Sequence, residues 1–340
     1  MLLSTSSMYR IVHSCSRRNT SPLRFKSVSA AGDAKCPFTG ASNPKLVNAI
    51  MPSRFTSRPP AHRIYEYTQN MLKNFGPFYK HAVPGVGQGL LGQVYSITAP
   101  NEMLKVIRSE GAYPSGGIQF MWPLIEALKE NNSPIFTDSD VGLLGQSEGW
   151  KTQRTFLQTG MLDPRAAKAY VPGIVQAAQL ASQGAPDASH RNQLNYYLNL
   201  CAFDMFSSFM LGELTQCANR SSVEDSENAL NIQFCNAVIA SMEQMMQVAM
   251  SPMEILAHKI GYRTTAYKNY ASSWNTVHAI GMEKLKRFHE RYKHGELNEI
   301  ERNSYFANAL DRFNDNSQLT HEQVMELSVM VLNAGVDTTR

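Results

Sequence analysis

The residues with the clearest chemical potential stand near the C-terminal end of the chain, where positions 334–339 read Ala-Gly-Val-Asp-Thr-Thr. Ala334 and Gly335 remove side-chain bulk within an apolar segment, although glycine costs about 1 kcal/mol relative to alanine inside a helix. The Thr338 hydroxyl can donate a hydrogen bond to the Ala334 carbonyl, four residues earlier, which leaves a polar notch. Asp337 and Thr338 in such a notch could move a proton. The same residues are also typical of a chain turn or of the cap of a following helix.

A second candidate site consists of Trp150 and Arg154, which are four residues apart. On a helix, residues with this spacing share one face, so the indole N–H and the guanidinium could both donate hydrogen bonds to a single anion. The same spacing is common by chance. A cation–π pair on a surface helix is therefore the alternative interpretation.

A helix is needed to position residues 334–339. Thr320 followed by Gln323 has the pattern of a capping box, and apolar residues recur at helical spacing over 324–332. The sequence therefore predicts a buried helix that begins at Thr320. Because the chain stops at Arg340 with no capping glycine after this helix, we expect the sequence to be truncated within it.

Apolar periodicity predicts a mainly helical chain with a small β-sheet. Two segments, 78–83 and 93–98, have the β-branched and aromatic content of strands, and the glycines between them predict a hairpin turn. Their letters match G-x-G-x-x-G, but a phosphate-binding loop requires a helix after the last glycine, where the sequence predicts a strand. Further helices are predicted over 61–75, 101–110, 192–211, 226–250, 265–294 and the first part of 298–315.

Charge is distributed unevenly along the chain, whose net charge is +4. Residues 1–32 contain five basic residues, many serines and no acid. This composition predicts a mitochondrial transit peptide, with a basic tail or a plastid transit peptide as alternatives. The remaining sequence has about one net negative charge, which gives no argument for a nucleic-acid partner. Prolines over 33–60 predict an extended arm that leads into one domain over 61–340.

Cysteine content indicates neither a disulfide framework nor a metal site. The five cysteines are odd in number, and they form no C-x-x-C pair and have no histidine at metal-ligand spacing. They are expected to be reduced thiols in the core or in the tail: Cys15, Cys36, Cys201, Cys217 and Cys235. No run of 18 apolar residues occurs, so any membrane contact is expected to be peripheral.

A row of methionines and a cluster of basic residues, both on predicted long helices, each have more than one interpretation. Methionines recur at helical spacing from Met242 to Met253, which is typical of core packing but also of an adaptable cover over a bulky apolar ligand or of a surface that dips into a bilayer. Basic residues are concentrated over 284–293, at the end of a predicted helix. Cations are favourable there against the helix dipole, so a solvated helix end is expected, with an acidic partner surface as the alternative.

These motifs, and their order along the chain, resemble those of the cytochrome P450 family. The sequence Ala-Gly-Val-Asp-Thr-Thr is similar to the oxygen-activating helix of that family, and Trp150 and Arg154 stand where the family has its clamp for the haem propionates. Residues 110–114, Glu-Gly-Ala-Tyr-Pro, resemble the mitochondrial branch, although Ser-Gly-Gly follows where that branch usually has an arginine. The apolar segment 118–128 would correspond to the variable loop over the substrate pocket, or it is an ordinary amphipathic surface turn.

This resemblance implies a mainly α fold with a small β-sheet and a haem-dependent monooxygenase that uses O2. Trp150 and Arg154 would bind the propionates, and Ala334 and Gly335 would line the oxygen site. Asp337 would relay protons, while Thr338 would donate a hydrogen bond there. The axial cysteine would lie beyond the end of this sequence, which would make the 340 residues an inactive fragment. The alternative is a short helical binding protein derived from the same fold that has lost catalysis.

The family also implies a partner chain and a location. A ferredoxin-type donor would supply electrons, the substrate would be a small lipophilic molecule of sterol-like class, and the protein would lie at the matrix side of the mitochondrial inner membrane. These expectations come from the resemblance alone, apart from the basic leader over 1–32.

Overall fold

The computed structural model describes residues 45–46, 64–84, 91–109, 111, 113, 121–136, 142–145, 147–185, 193–219 and 226–339. The predicted leader, most of the predicted arm and the centre of the glycine-rich turn lie outside the described residues. Two compact units divide the chain. The first comprises Met1–Phe120 and Met250–Leu256, and the second comprises Met121–Ala249 and Ala257–Arg340.

The first unit contains a small β-sheet of the order β1-β2-β3. The two longer strands are antiparallel with Tyr79 opposite Ser96, while β1 pairs with β2 in parallel. Gly76 ends the first helix in a left-handed conformation (φ 84°), as the sequence predicts. The elements in chain order are β1 Lys45–Leu46, α1 Ile64–Phe75, β2 Phe78–Pro84, β3 Leu91–Ile97 and α2 Pro100–Ser109.

The second unit is helical in its described part. Its core surrounds α6, which contacts α5 and α12, and α12 also contacts α9. Large aromatic side chains fill this core, among them Trp274, Tyr270 and Phe203, each at most 1% exposed. The helices are α3 Trp122–Glu130, α4 Glu148–Met161, α5 Pro164–Gln183, α6 Leu194–Leu211, α7 Ser226–Met250, α8 Pro252–Lys259, α9 Thr265–His294, α10 Glu299–Arg302, α11 Tyr305–Asn316 and α12 His321–Thr339, where α8 continues from the first unit.

The predicted mainly α fold with a small sheet is confirmed, and most helix boundaries agree with the sequence. The end of α6 at Gly212 and that of α9 at Gly295 both have left-handed glycines, with φ of 66° and 70°. Helices α5 and α8 were not among the predicted helices, and three further local details differ from expectation. The sheet gains the two-residue β1 from the predicted arm, residues 122–130 form helix α3 within and beyond the predicted loop, and residues 299–316 form two helices.

Each of these differences has its own physical origin. A two-residue strand carries no periodicity of its own and exists because its backbone pairs with β2. Helix α3 buries four residues, Pro123, Leu124, Ala127 and Leu128, so its stability comes from packing. Asn298 starts α10 through a capping box with Glu301.

No helix in the described part of the chain is both long and apolar enough to cross a membrane.

Candidate functional site

Trp150 and Arg154 lie on one face of α4, as their spacing predicts. The Arg154 Cζ is 5.5 Å from the centroid of the Trp150 ring, and both side chains are half-buried. Within the described ranges, no carboxylate forms an ion pair with Arg154. The arrangement therefore contains the cation–π contact of the alternative interpretation, and it also leaves the guanidinium able to bind an anion.

Gln153, which sequence reasoning did not single out, joins α4 to the residues that precede it. Its side chain is 3% exposed. Its Nε2 donates to the Ile135 carbonyl at 3.0 Å, and its Oε1 accepts from the Leu143 amide at 2.7 Å. Gly142 is left-handed (φ 54°), and a Cβ there would lie 2.5 Å from the Ile135 oxygen. The turn at Gly142–Leu144 is therefore bound to α4 by one buried amide.

The C-terminal half of α4 is held by donors from neighbouring helices. The Arg312 guanidinium donates to the Phe156 carbonyl and lies 4.8 Å from the centroid of the Phe156 ring. The Tyr305 hydroxyl donates to the Leu157 carbonyl at 2.9 Å, and the Tyr170 hydroxyl donates to the Gly160 carbonyl in the last turn of α4 at 2.8 Å. Burial raises the pKa of Tyr305 to about 12, so this hydroxyl stays a donor at neutral pH. Trp150 and Arg154 thus stand on a helix whose position is fixed at several points.

Helix α12 begins with the predicted capping box. The Thr320 Oγ1 accepts from the Gln323 amide at 3.2 Å, and the Gln323 Oε1 accepts from the Thr320 amide at 3.0 Å. The Gln323 Nε2 also donates to the Pro134 carbonyl at 3.0 Å. Nearly all side chains from Val324 to Leu332 are buried, which confirms the predicted buried helix.

Gly335 is buried against an aromatic ring. A Cβ built at this position would lie 2.0 Å from Cζ of Phe206 on α6, whereas Ala334 is exposed. The space that the glycine leaves is therefore occupied by the Phe206 ring. The backbone of residues 337–339 continues α12, so the interpretation as a chain turn is wrong for this segment. The side chains of Asp337, Thr338 and Thr339 lie outside the described part, and their predicted roles stay predictions.

Polar groups on α12 that the sequence analysis missed face α9 and α7. Glu326 is 3% exposed, and its Oε2 lies 2.7 Å from the His278 Nε2. The Asn333 Oδ1 is 3.4 Å from the Ser241 hydroxyl. A glutamate among apolar helix positions is a usable signal, but its histidine partner is 48 residues away and cannot be identified by spacing.

The cysteines within the described part are free, and the prediction of core thiols is confirmed for Cys217 and Cys235. Burial raises the pKa of Cys235 to about 12, with the charge of Asp204 acting in the same direction. Burial likewise raises the pKa values of Cys217 and Cys201. No group of three or more potential metal ligands occurs in the parts of the chain that the structure describes.

The methionine stripe divides between two environments. Met245 is 6% exposed, and Met242 and Met246 pack against the core, so core packing accounts for this part. Met253 on α8 is 72% exposed and leaves the other interpretations open.

Local partners neutralise much of the basic end of α9. The Lys284 Nζ lies 2.6 Å from Glu213, and Arg291 binds Glu301 through both terminal nitrogens at 2.7 and 2.6 Å. Arg287 and Lys293 pair with glutamates on their own helix. These ion pairs favour a solvated helix end over a surface for an acidic partner.

A groove of about 730 Å³ runs along α9, and it is lined mainly by polar and small residues such as Ser272, Asn275 and Thr276. None of the predicted site residues lines it. The groove and the two motif helices are therefore separate features.

The comparisons with known proteins agree on one family. The family model described as "Cytochrome P450" matches residues 56–340. Curated relatives include proteins named "Cholesterol side-chain cleavage enzyme, mitochondrial". The one from Mesocricetus auratus is 22% identical over 285 residues, which cover 82% of this chain and 50% of the relative. For the Sus scrofa protein the identity is 23% over 313 residues, covering 89% and 55%. For Homo sapiens it is 20% over 287 residues, covering 82% and 50%. The chain spans about half the length of the curated relatives it matches.

Proposed function

The chain belongs to the cytochrome P450 family, and from that premise we propose that the whole protein is a haem-dependent monooxygenase acting on a lipophilic, sterol-like substrate. The observation that carries the proposal is one continuous family match over 56–340, which contains the Trp150/Arg154 pair and the 334–339 motif in the family's order. Haem, when bound with its thiolate ligand, supplies the activation of O2 and the insertion of one oxygen atom. The sterol-like class is taken from the relatives, which are named as cholesterol side-chain cleavage enzymes.

We assign the haem propionates to Trp150 and Arg154. Both side chains are half-buried on one face of α4, so they can reach a ligand and also hold it out of water. Each charge-assisted hydrogen bond to a propionate is worth about 1.5–3 kcal/mol. This exceeds the 0.5–1 kcal/mol or so of an exposed cation–π contact. An anionic ligand would therefore draw Arg154 away from the Trp150 ring.

For the oxygen site we propose Ala334, Gly335, Asp337 and Thr338 on α12. Asp337 would move protons and Thr338 would donate a hydrogen bond within the site. Because the Phe206 ring already fills the space at Gly335, that ring would form one wall of the site. Adjacent side chains on a helix do not face each other, so Asp337 and Thr338 would pass a proton through an intervening water.

Location and electron supply follow from the same family branch. We propose residues 1–32 as a mitochondrial transit peptide, a matrix-side location at the inner membrane, and a ferredoxin-type electron donor. The relatives' names include the word mitochondrial. Met253 and Leu256, 72% and 43% exposed on α8, offer apolar side chains for peripheral membrane contact.

A fusion of residues 1–40 to a fluorescent reporter tests the proposed transit peptide. A diffuse cytosolic signal would contradict it.

The decisive experiment expresses the protein encoded by the complete transcript and follows its absorption spectrum. Sterols or fatty acids should shift the haem spectrum by displacing water, and turnover should require ferredoxin. Arg154→Gln should lower haem occupancy, while the matched variant Arg165→Gln, at an arginine 91% exposed, should not. Thr338→Val should reduce turnover without changing substrate binding. A transcript that ends at Arg340, together with a stable protein that lacks haem, would favour the non-catalytic binding protein instead.

A further inference from the structure

Two histidines from different helices meet at the junction of α9 and α12. His289 lies near the C-terminal end of α9, and His321 is the first residue of α12. The His289 Nδ1 is 2.9 Å from the His321 Nε2. The ring centroids are 4.4 Å apart and the ring planes are inclined by 31°. Both side chains are half-buried, so the pair can be reached from solvent.

The geometry suits two ligands of one metal ion. Imidazole nitrogens bind Zn²⁺ at about 2.0–2.1 Å, so two of them lie roughly 2.9–3.4 Å apart when the angle at the metal is between a right angle and a tetrahedral one. The observed separation of 2.9 Å falls at the lower end of that interval. The two nitrogens face each other in a hydrogen bond, so a metal ion would replace the shared proton and the rings would rotate until both nitrogens point to the ion.

The pair packs against an aromatic ring. Neutral imidazole is the form that binds metals. The edge of Phe313 covers one side of His321, with the centroids 5.9 Å apart. The facing nitrogens have no other hydrogen-bond partner within the described ranges.

We propose that His289 and His321 form a two-histidine site for one transition-metal dication of the Cu²⁺, Ni²⁺ or Zn²⁺ class, which links the end of α9 to the first turn of α12. The structure describes no third protein ligand, so water would complete the coordination. Imidazole favours these ions over Mg²⁺ or Ca²⁺, which prefer oxygen ligands. The inference does not depend on haem binding or on monooxygenase activity.

The test uses the 340-residue chain in a Cys15→Ser/Cys36→Ser background, which removes the two thiols outside the described residues. Thermal unfolding is followed at pH 7.5 with Zn²⁺ or Ni²⁺, and with Mg²⁺ as the ion control. Because an ion that binds only the folded chain raises its unfolding temperature, Zn²⁺ and Ni²⁺ should stabilise the protein in a saturable manner. Loss of an outer-shell partner alone usually weakens metal binding by about 10–100-fold, so His289→Gln and His321→Gln should each weaken it at least tenfold. His294→Gln, at an exposed histidine on the same helix, should bind as the parent does.

A second measurement needs no variant at the site. Bound metal should protect His289 and His321, but not His294, from modification by diethyl pyrocarbonate, as detected by peptide mass spectrometry. A Cu²⁺ complex should show hyperfine coupling to two imidazole nitrogens in its electron paramagnetic resonance spectrum. Absence of protection, or equal metal stabilisation of the His289→Gln variant, would overturn the proposal.

Discussion

The Phe206 ring and the proposed oxygen site both lie beside Gly335. The glycine is required by the Phe206 ring, whatever else it does, because a Cβ would lie 2.0 Å from that ring. The sequence analysis predicted that Ala334 and Gly335 leave space beside this helix, but the group that occupies the space depends on how α6 crosses α12. Sequence periodicity carries no information about such a crossing, because the two helices are more than a hundred residues apart in the chain.

We predict that Gly335→Ala destabilises the chain despite the better helix propensity of alanine. Overpacking a core costs about 1–3 kcal/mol, whereas alanine gains at most about 1 kcal/mol over glycine in a helix. The net loss should appear as a lower urea midpoint. Phe206→Leu in the same chain should recover part of it by making room. Ala334→Ser is the matched control because Ala334 is exposed, and it should change stability by less than about 0.5 kcal/mol. An unchanged midpoint in Gly335→Ala would contradict the packing role.

The His289 side chain makes stability depend on pH. Its pKa is lowered in the folded chain from an ordinary value of 6.5, mainly by burial and next by His321 and Lys293, with Glu290 opposing. The folded state therefore favours neutral imidazole. This contribution is fully present above pH 6.5 and is lost as the pH falls below that value. In the absence of metal, the unfolding temperature should decrease from pH 7.5 to 5.5, and His289→Gln should make the decrease smaller. An identical decrease in parent and variant would show that His289 is not its source.

At the scale of elements, local sequence signals predicted where helices begin and end, whereas the contacts that position the helices depend on tertiary structure. The capping box at Thr320 and the left-handed glycines that end α6 and α9 are encoded within a few residues, so their positions follow from sequence. The hydrogen bonds that hold α4 in place are different. Gln153 on α4 donates to the Ile135 carbonyl, and Arg312 donates to the Phe156 carbonyl on α4. Any residue supplies a carbonyl, so the residue type at the acceptor does not indicate where either donor binds.

We predict that Arg312 is a positioning residue for α4. Its guanidinium bonds the Phe156 carbonyl and stacks on the Phe156 ring, and a hydrogen bond from a charged donor is worth about 1.5–3 kcal/mol. Arg312→Met should cost about that much, and hydrogen exchange should accelerate most at the amides of the last turns of α4. Arg312→Lys should not recover the loss, because an ammonium lacks the planar fork. Arg302→Met is the control, since Arg302 is exposed and lies over the ring of Tyr292 in a cation–π pair. Uniformly faster exchange throughout the helices would indicate a general loss of stability instead.

At the scale of the whole molecule, the family assignment was predictable because three short motifs occur in a fixed order along the chain. All three motifs lie within residues 56–340, which the family model matches, while the curated relatives reported above are only 20–23% identical. The placement of the cysteines could not be predicted in the same way. Composition indicated only that they are reduced, whereas the structure shows which thiols the core encloses.

The last prediction concerns haem ligation by these 340 residues. An axial thiolate would have to come from a cysteine that the iron can reach, and Cys217 and Cys235 are at most 1% exposed within the core. Two or three propionate hydrogen bonds at about 1.5–3 kcal/mol each cannot replace the iron–sulfur bond. Burial also raises the pKa of Cys217 and of Cys201. We therefore expect weak haem binding and no monooxygenase activity from this chain alone. Reduction with haem and carbon monoxide should give no red-shifted Soret band of the thiolate type, and the Cys15→Ser/Cys36→Ser variant should give the same spectrum. A thiolate band that persists in that variant would mean that Cys201, Cys217 or Cys235 reaches the iron, which is incompatible with the packing of this core.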